Sequence, residues 1–215
     1  MRMSFNTKPS MTIHSVYAPL SLHPEDVDDF YNTMHNEIRD ARGRHINIVS
    51  GDFNTVICKP KNDAERNHWG SEVFNDQDYL DNLEPGYKLQ IDQQKDKFLD
   101  FCSNKDLFVC NSIFTKPKEK LTTYTKEPST PNNYPFTNER YSQLDYILIN
   151  KKWKNATKNC ESDITATIDE NMDHFPVIAS MEVRFKRNII KQEQKNKSPY
   201  RGKQPPKSGK RSQER

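Results

Sequence analysis

From Met11 to Ala18 apolar and polar residues alternate, the two-residue period of a strand, and Pro19 stops the run. From Pro24 the spacing changes: Val27, Phe30, Tyr31, Met34 and Ile38 recur every three or four residues, which predicts a helix. Pro24 suits a first helical turn, and Glu25, Asp26, Asp28 and Asp29 favour the positive end of the helix dipole. Gly43 closes this helix, and residues 45–50 (His-Ile-Asn-Ile-Val-Ser) read as a short strand. Strand, helix, strand is the repeating unit of an α/β protein.

Beyond this unit the pattern is intermittent. Residues 59–92 are charged and weakly periodic, which predicts a long loop with one short helical turn. Phe98, Phe101 and Cys102 mark an amphipathic helix over 93–104. Leu107–Cys110 and Leu121–Thr125 read as short strands, and the prolines of 126–142 as a loop. Gln143–Ile149 is a strong strand, and Phe175, Val177, Ala179, Met181 and Val183 alternate into a last one. After Arg184 the core formers run out, and the remainder reads as a disordered tail.

Composition sharpens this division. The chain is 33% hydrophobic and 29% charged, with a mean hydropathy of −1.03. The net charge of +3 hides an asymmetry: residues 186–215 hold eleven basic and two acidic residues (+9), and the other residues hold 22 basic and 28 acidic (−6). An acidic body with a basic tail is a pattern of proteins that meet nucleic acid. Lys186, Arg187, Arg201 and Arg211 are the candidate phosphate contacts. No apolar run approaches the ~18 residues of a membrane span, and Met1–Thr12 lacks a signal-peptide core. A soluble intracellular protein is expected, with the nucleus as one compartment open to it. Cys58, Cys102, Cys110 and Cys160 show no Cys-x-x-Cys spacing, so they read as reduced thiols rather than a zinc site.

Four short motifs stand at the ends of the expected strands, where α/β proteins gather ligands. In Gly51-Asp52-Phe53-Asn54, Asp52 can hold a cation or polarise a water, and Asn54 can orient that water or ligate through its carbonyl. In Val16-Tyr17-Ala18-Pro19, Tyr17 can donate to a phosphate oxygen. Asp145, inside the apolar strand Gln143–Leu148, is costly to bury without a donor, for which a histidine is suited. In Met172-Asp173-His174-Phe175, Asp173 can ligate a metal and His174 can bond a phosphate or carry a proton. Taken singly, each motif is as readily a turn or a core edge.

In this order the four resemble the endonuclease/exonuclease/phosphatase (DNase I-like) superfamily, closest in flavour to non-LTR retrotransposon endonucleases and the related craniofacial development protein 2-like proteins. Val-Cys-Asn-Ser-Ile-Phe at 109–114 and Thr122-Thr123-Tyr124 are similar to further segments of that family. The resemblance covers residues 11–185, with 186–215 outside it. It implies a four-layer α/β sandwich, two sheets face to face with helices outside. It implies Mg²⁺ or Mn²⁺ and hydrolysis of a phosphodiester in nucleic acid, DNA above all, with a reverse transcriptase as partner in a parent element. Asp52, with Asn54, would activate the attacking water. Asp173 would ligate the metal, with Asp52 and Asn54 offering a second position. His174, oriented by Asp145, would stabilise phosphate charge, and Tyr17 would bond a phosphate oxygen.

The family pattern also includes a leading Asn and a metal-binding Glu, which have no counterpart before the Tyr17 strand. The expectation is a partial domain lacking the first strands, a loosely held metal and poor cleavage by this chain alone. Gln143 stands where many members carry Arg. Two other readings stay open: a non-catalytic nucleic-acid-binding remnant, and a phosphatase of a small phosphate ester, since one fold hosts several chemistries.

Overall fold

The computed structural model describes residues 2–4, 10–20, 24–38, 45–127, 135–166 and 172–183. All of these belong to one compact unit spanning Met1–Phe185. The basic segment Lys186–Arg215, with Lys186, Arg187, Arg201 and Arg211, lies outside the described residues, as does Gly43.

The framework is a five-stranded sheet. Its strands are β1 (Arg2–Ser4), β2 (Ser10–Tyr17), β3 (His45–Asp52), β4 (Leu107–Val109) and β7 (Asp145–Asn150), in the order β1-β2-β3-β7-β4. Strands β2 and β3 run parallel, joined through helix α1 (Pro24–Glu37), which buries Val27, Tyr31 and Met34. This is the expected strand–helix–strand unit. Strand β7 is antiparallel to both β3 and β4.

Alternation sorts the side chains of β3 and β7 between two cores. Val49, Tyr146 and Leu148 join Phe98, Phe101 and Cys102 of helix α4 (Pro85–Asn104) and the buried face of α1. Ile46, Ile48, Ile147 and Ile149 face the other way, onto Cys160, Val177, Ala179 and Met181. The latter four belong to a two-stranded antiparallel sheet, β8 (Thr157–Ser162) with β9 (Val177–Met181). Two sheets thus pack face to face with helices outside the larger one. A third pair, β5 (Tyr124–Thr125) with β6 (Tyr141–Ser142), closes one end.

The structure departs from the sequence pattern in three places. Residues 59–92 form helices α2 (Asp63–Arg66) and α3 (Gln77–Asp81) and the first turns of α4, which starts at Pro85 rather than 93. Tyr87 and Leu89 in those first turns are exposed, so no apolar stripe betrays the helix. Despite its charge the stretch also contributes to the interior: Glu65, His68, Trp69, Phe74 and Asn75 are buried. Strand β8 leaves no mark in the pattern, because Thr-Lys-Asn-Cys-Glu-Ser carries one apolar residue, Cys160. Strand β1 likewise offers no pattern over three residues. All four cysteines are free and buried. No helix among the described residues is long and apolar enough to cross a membrane.

Candidate active site

Strand register places three of the candidate residues side by side. Tyr17 pairs with Asp52 across β2 and β3, and Asp52 pairs with Asp145 across β3 and β7. Because β2 and β3 end where β7 begins, the row lies at one end of the sheet. Gly51 makes the row possible. Its φ is +150°, and a Cβ there would stand 1.8 Å from the Val16 carbonyl oxygen. Only glycine lets β2 and β3 approach this closely.

The chain leaves β3 through a left-handed residue, Asn54, at φ 46°, a region in which Asn is several-fold enriched. The Asn54 amide donates to Asp52 Oδ1 at 2.7 Å, and its Nδ2 donates to the Ala18 carbonyl at 2.7 Å. The Ala18 amide in turn donates to the Asp52 carbonyl at 2.8 Å. Asp52 and Asn54 are therefore tied to the chain that carries Tyr17. Tyr17 itself is 71% exposed and stands at the rim.

His174 comes from a remote segment and meets both carboxylates. Its Nδ1 lies 2.8 Å from Asp145 Oδ2, and its Nε2 lies 3.7 Å from Asp52 Oδ2. With Asp145 ionised, Nδ1 carries the proton of that hydrogen bond. Burial pulls the imidazole pKa down, but the Asp145 hydrogen bond and the charges of Asp145, Asp52 and Asp173 reverse this and leave it raised. Asp52 also sits above its usual value. Burial is the first cause; Asp145 and Asp173 add to it, while the Asn54 amide and His174 oppose it. Asp173 is exposed beside them.

Residues that sequence patterns did not single out individually hold this cluster. Thr123 Oγ1 accepts from the amides of Leu144 (2.9 Å) and Asp145 (3.0 Å). Asn111 Nδ2 donates to the Asp145 carbonyl at 2.8 Å, and its Oδ1 accepts from the Ile147 amide at 3.3 Å. Both lie in segments that carried the family resemblance. Asn75 lies in none. Its Oδ1 accepts from the Gln143 amide at 3.0 Å, and its Nδ2 donates to the carbonyls of Gln143 and Ile57, each at 3.1 Å. Gln143 is buried and accepts the Phe74 amide at Oε1, so this position braces the strand entry from within.

The structure thus brings Tyr17, Asp52, Asn54, Asp145, Asp173 and His174 to one end of the sheet; the four basic candidates of the tail lie outside the described residues. Over 80–85% of this chain, known structures superpose on it. They are an endonuclease/exonuclease/phosphatase family protein from Leptotrichia buccalis (TM-score 0.50, 16% identity, 85% of this chain, 52% of that one), a 3′ phosphatase from Neisseria bound to a product DNA hairpin (0.50, 16%, 82% and 62%), and an AP endonuclease from Archaeoglobus fulgidus (0.51, 15%, 80% and 62%).

The chain has the endonuclease/exonuclease/phosphatase fold. In sequence it is similar to craniofacial development protein 2 of Tragulus javanicus, 23% identical over 202 residues and 93% of this chain. It spans less than a third of the length of the curated relatives it matches. No protein-family model matches it. Among the described residues, no three or more His, Cys, Asp or Glu side chains are already gathered closely enough to hold a metal ion. The carboxylate and amide oxygens gathered here are donors of the kind that suit a hard cation. His174 faces Asp145 and Asp52, and the charges of Asp145 and Asp173 add to the burial that raises Asp52, a repulsion that a divalent cation would relieve.

Proposed function

We propose that the chain is a metal-dependent phosphodiester hydrolase acting on nucleic acid, with DNA as its substrate. The observation that carries the reading is His174, bonded to Asp145 through one nitrogen while the other faces Asp52. A histidine held on Asp145 at Nδ1, with a raised pKa, presents a positively charged Nε2 donor to a non-bridging phosphate oxygen. Asp52, fixed at Oδ1 by the Asn54 amide, turns Oδ2 toward the same space, where it accepts a proton from an attacking water. Tyr17, exposed at the rim, donates to the phosphate or the leaving oxygen.

Asp173, with Asp52 and Asn54, would hold Mg²⁺ or Mn²⁺. When bound, the cation supplies charge neutralisation at the phosphate and a more acidic water. The chain's own residues orient that water, hold the phosphate and set the proton positions. Support for nucleic acid comes from the basic segment 186–215 and from the DNA-bound Neisseria phosphatase of like fold.

The test is nicking of supercoiled plasmid by the full chain with Mg²⁺. Slow nicking is expected, abolished by EDTA and by Asp52→Asn or His174→Ala. Nicking that survives both substitutions, or its absence at high enzyme concentration, overturns the reading.

A further inference from the structure

Segment Thr123–Thr125 touches both halves of the Asp145–His174 pair. Thr123 Oγ1 holds the Asp145 amide. On the other side the Thr125 amide donates to the Asp173 carbonyl at 2.7 Å, and the Phe175 amide donates to the Thr123 carbonyl at 2.8 Å. Tyr124 and His174 thereby form an isolated antiparallel bridge. Their rings follow the backbone, with centroids 5.1 Å apart and planes at 57°.

One hydrogen bond does not fix an imidazole. With Nδ1 held on Asp145, the ring can still swing about that contact and carry Nε2 with it. A second ring packed against it, on a backbone bridged to its own, removes that freedom. Tyr124 is half-buried, so its ring has a fixed seat of its own. We infer that Tyr124 is a positioning residue for His174, holding the imidazole plane so that Nε2 stays directed at Asp52. The ring does this, and its hydroxyl is dispensable. Phenylalanine therefore suffices at this position and an aliphatic side chain does not.

The catalytic part of this inference rests on the hydrolase reading above; the geometric part does not. The experiment uses the full chain with ¹⁵N-labelled histidine, at neutral pH and without metal, as wild type, Tyr124→Phe, Tyr124→Leu and Tyr124→Ile. In wild type and Tyr124→Phe, the His174 ring nitrogens are expected to show a single sharp set of signals with Nδ1 protonated. In the Leu and Ile variants those signals should shift and broaden as the ring samples more than one orientation about the Asp145 contact. The signals of His45 and His68, which have hydrogen-bond partners elsewhere, should stay where they are. In plasmid nicking with Mg²⁺, the aliphatic variants should lose about 10- to 100-fold in kcat with little change in KM, as for a catalytic group displaced by up to about an ångström, and Phe should restore most of it.

Unchanged His174 signals in the aliphatic variants overturn the proposal. So does a Phe variant that behaves like Leu, or aliphatic variants that also displace the His45 and His68 signals. If the His174 signals behave as expected and no variant nicks DNA, the positioning role stands and the hydrolase reading falls.

Discussion

Asp145 and His174 are 29 residues apart in sequence and 2.8 Å apart in space, joined through Oδ2 and Nδ1. Asp145 holds its place as the first residue of β7, and His174 by its bridge to Tyr124. Neither strand alone would present the pair. Asp145→Asn keeps the shape but offers His174 a neutral partner, so the raised imidazole pKa loses its main support. Nicking should fall by about 10- to 100-fold, and His174→Ala should cost at least as much, on the order of a hundredfold or more. The double variant should be little worse than His174→Ala, because the two act as a unit. Single-turnover nicking of the three variants measures this; full additivity would mean that Asp145 acts elsewhere.

Gly51→Ala should be among the most damaging single substitutions in the chain. The new methyl would overlap the Val16 carbonyl oxygen, backbone against backbone, at a φ that disfavours any side chain. A loss of about 3 kcal/mol or more is expected. The urea midpoint reports it, and Tyr17 and Asp52 should lose their alignment with it.

Asn75→Ala should destabilise by about 2–3 kcal/mol, since it leaves the Gln143 amide and the Ile57 carbonyl without partners and the Gln143 carbonyl with only the Tyr146 hydroxyl. Asn75→Asp should be no better, because the carboxylate accepts from Gln143 but cannot donate to the carbonyls of Ile57 and Gln143. Chemical denaturation of both variants against wild type checks the pair.

Glu161 gives a pH dependence of definite sign. Its carboxylate accepts from Lys116 at 2.5 Å and Lys120 at 2.8 Å, which lower its pKa from 4.5 to about 2. A depressed carboxylate pKa adds stability that is whole above the unfolded value and fades as pH falls through the folded one. Glu161→Gln should therefore cost about 0.5 kcal/mol near neutral pH, a value limited by solvent screening. Between pH 4.5 and about 2 the difference from wild type should shrink to nothing. Paired melts across that range measure it, and a gap that widens on acidification would refute the assignment.

How much of this was legible depended on which residues carry the pattern. β2, α1, β3 and β7 alternate or repeat regularly because each buries one or both faces, so their apolar residues announce them. The four motif residues at their ends were then legible as strand termini. Strand β8 was not, because its burial falls on Thr157, Cys160 and Ser162, which look polar or neutral in sequence. The start of α4 was hidden for the opposite reason, with Tyr87 and Leu89 apolar yet exposed. Asn75 illustrates a third kind of silence. Its role exists only through Gln143, 68 residues away, and no local spacing encodes a partnership of that range.

The split origin of the site has a consequence for its motions. Asp52 and Asp145 belong to neighbouring central strands of the five-stranded sheet, buried on both faces. Asp173 and His174 belong to the segment entering β9, whose ladder partners are β8 and the short strand at Tyr124. Proteins open in cooperative pieces, and thinly bonded pieces open first. Release of the 172–183 segment would separate the imidazole from both carboxylates while the central sheet stayed intact. The chain can therefore remain folded by most optical measures with its site dismantled, and loss of activity on warming should precede loss of the main sheet.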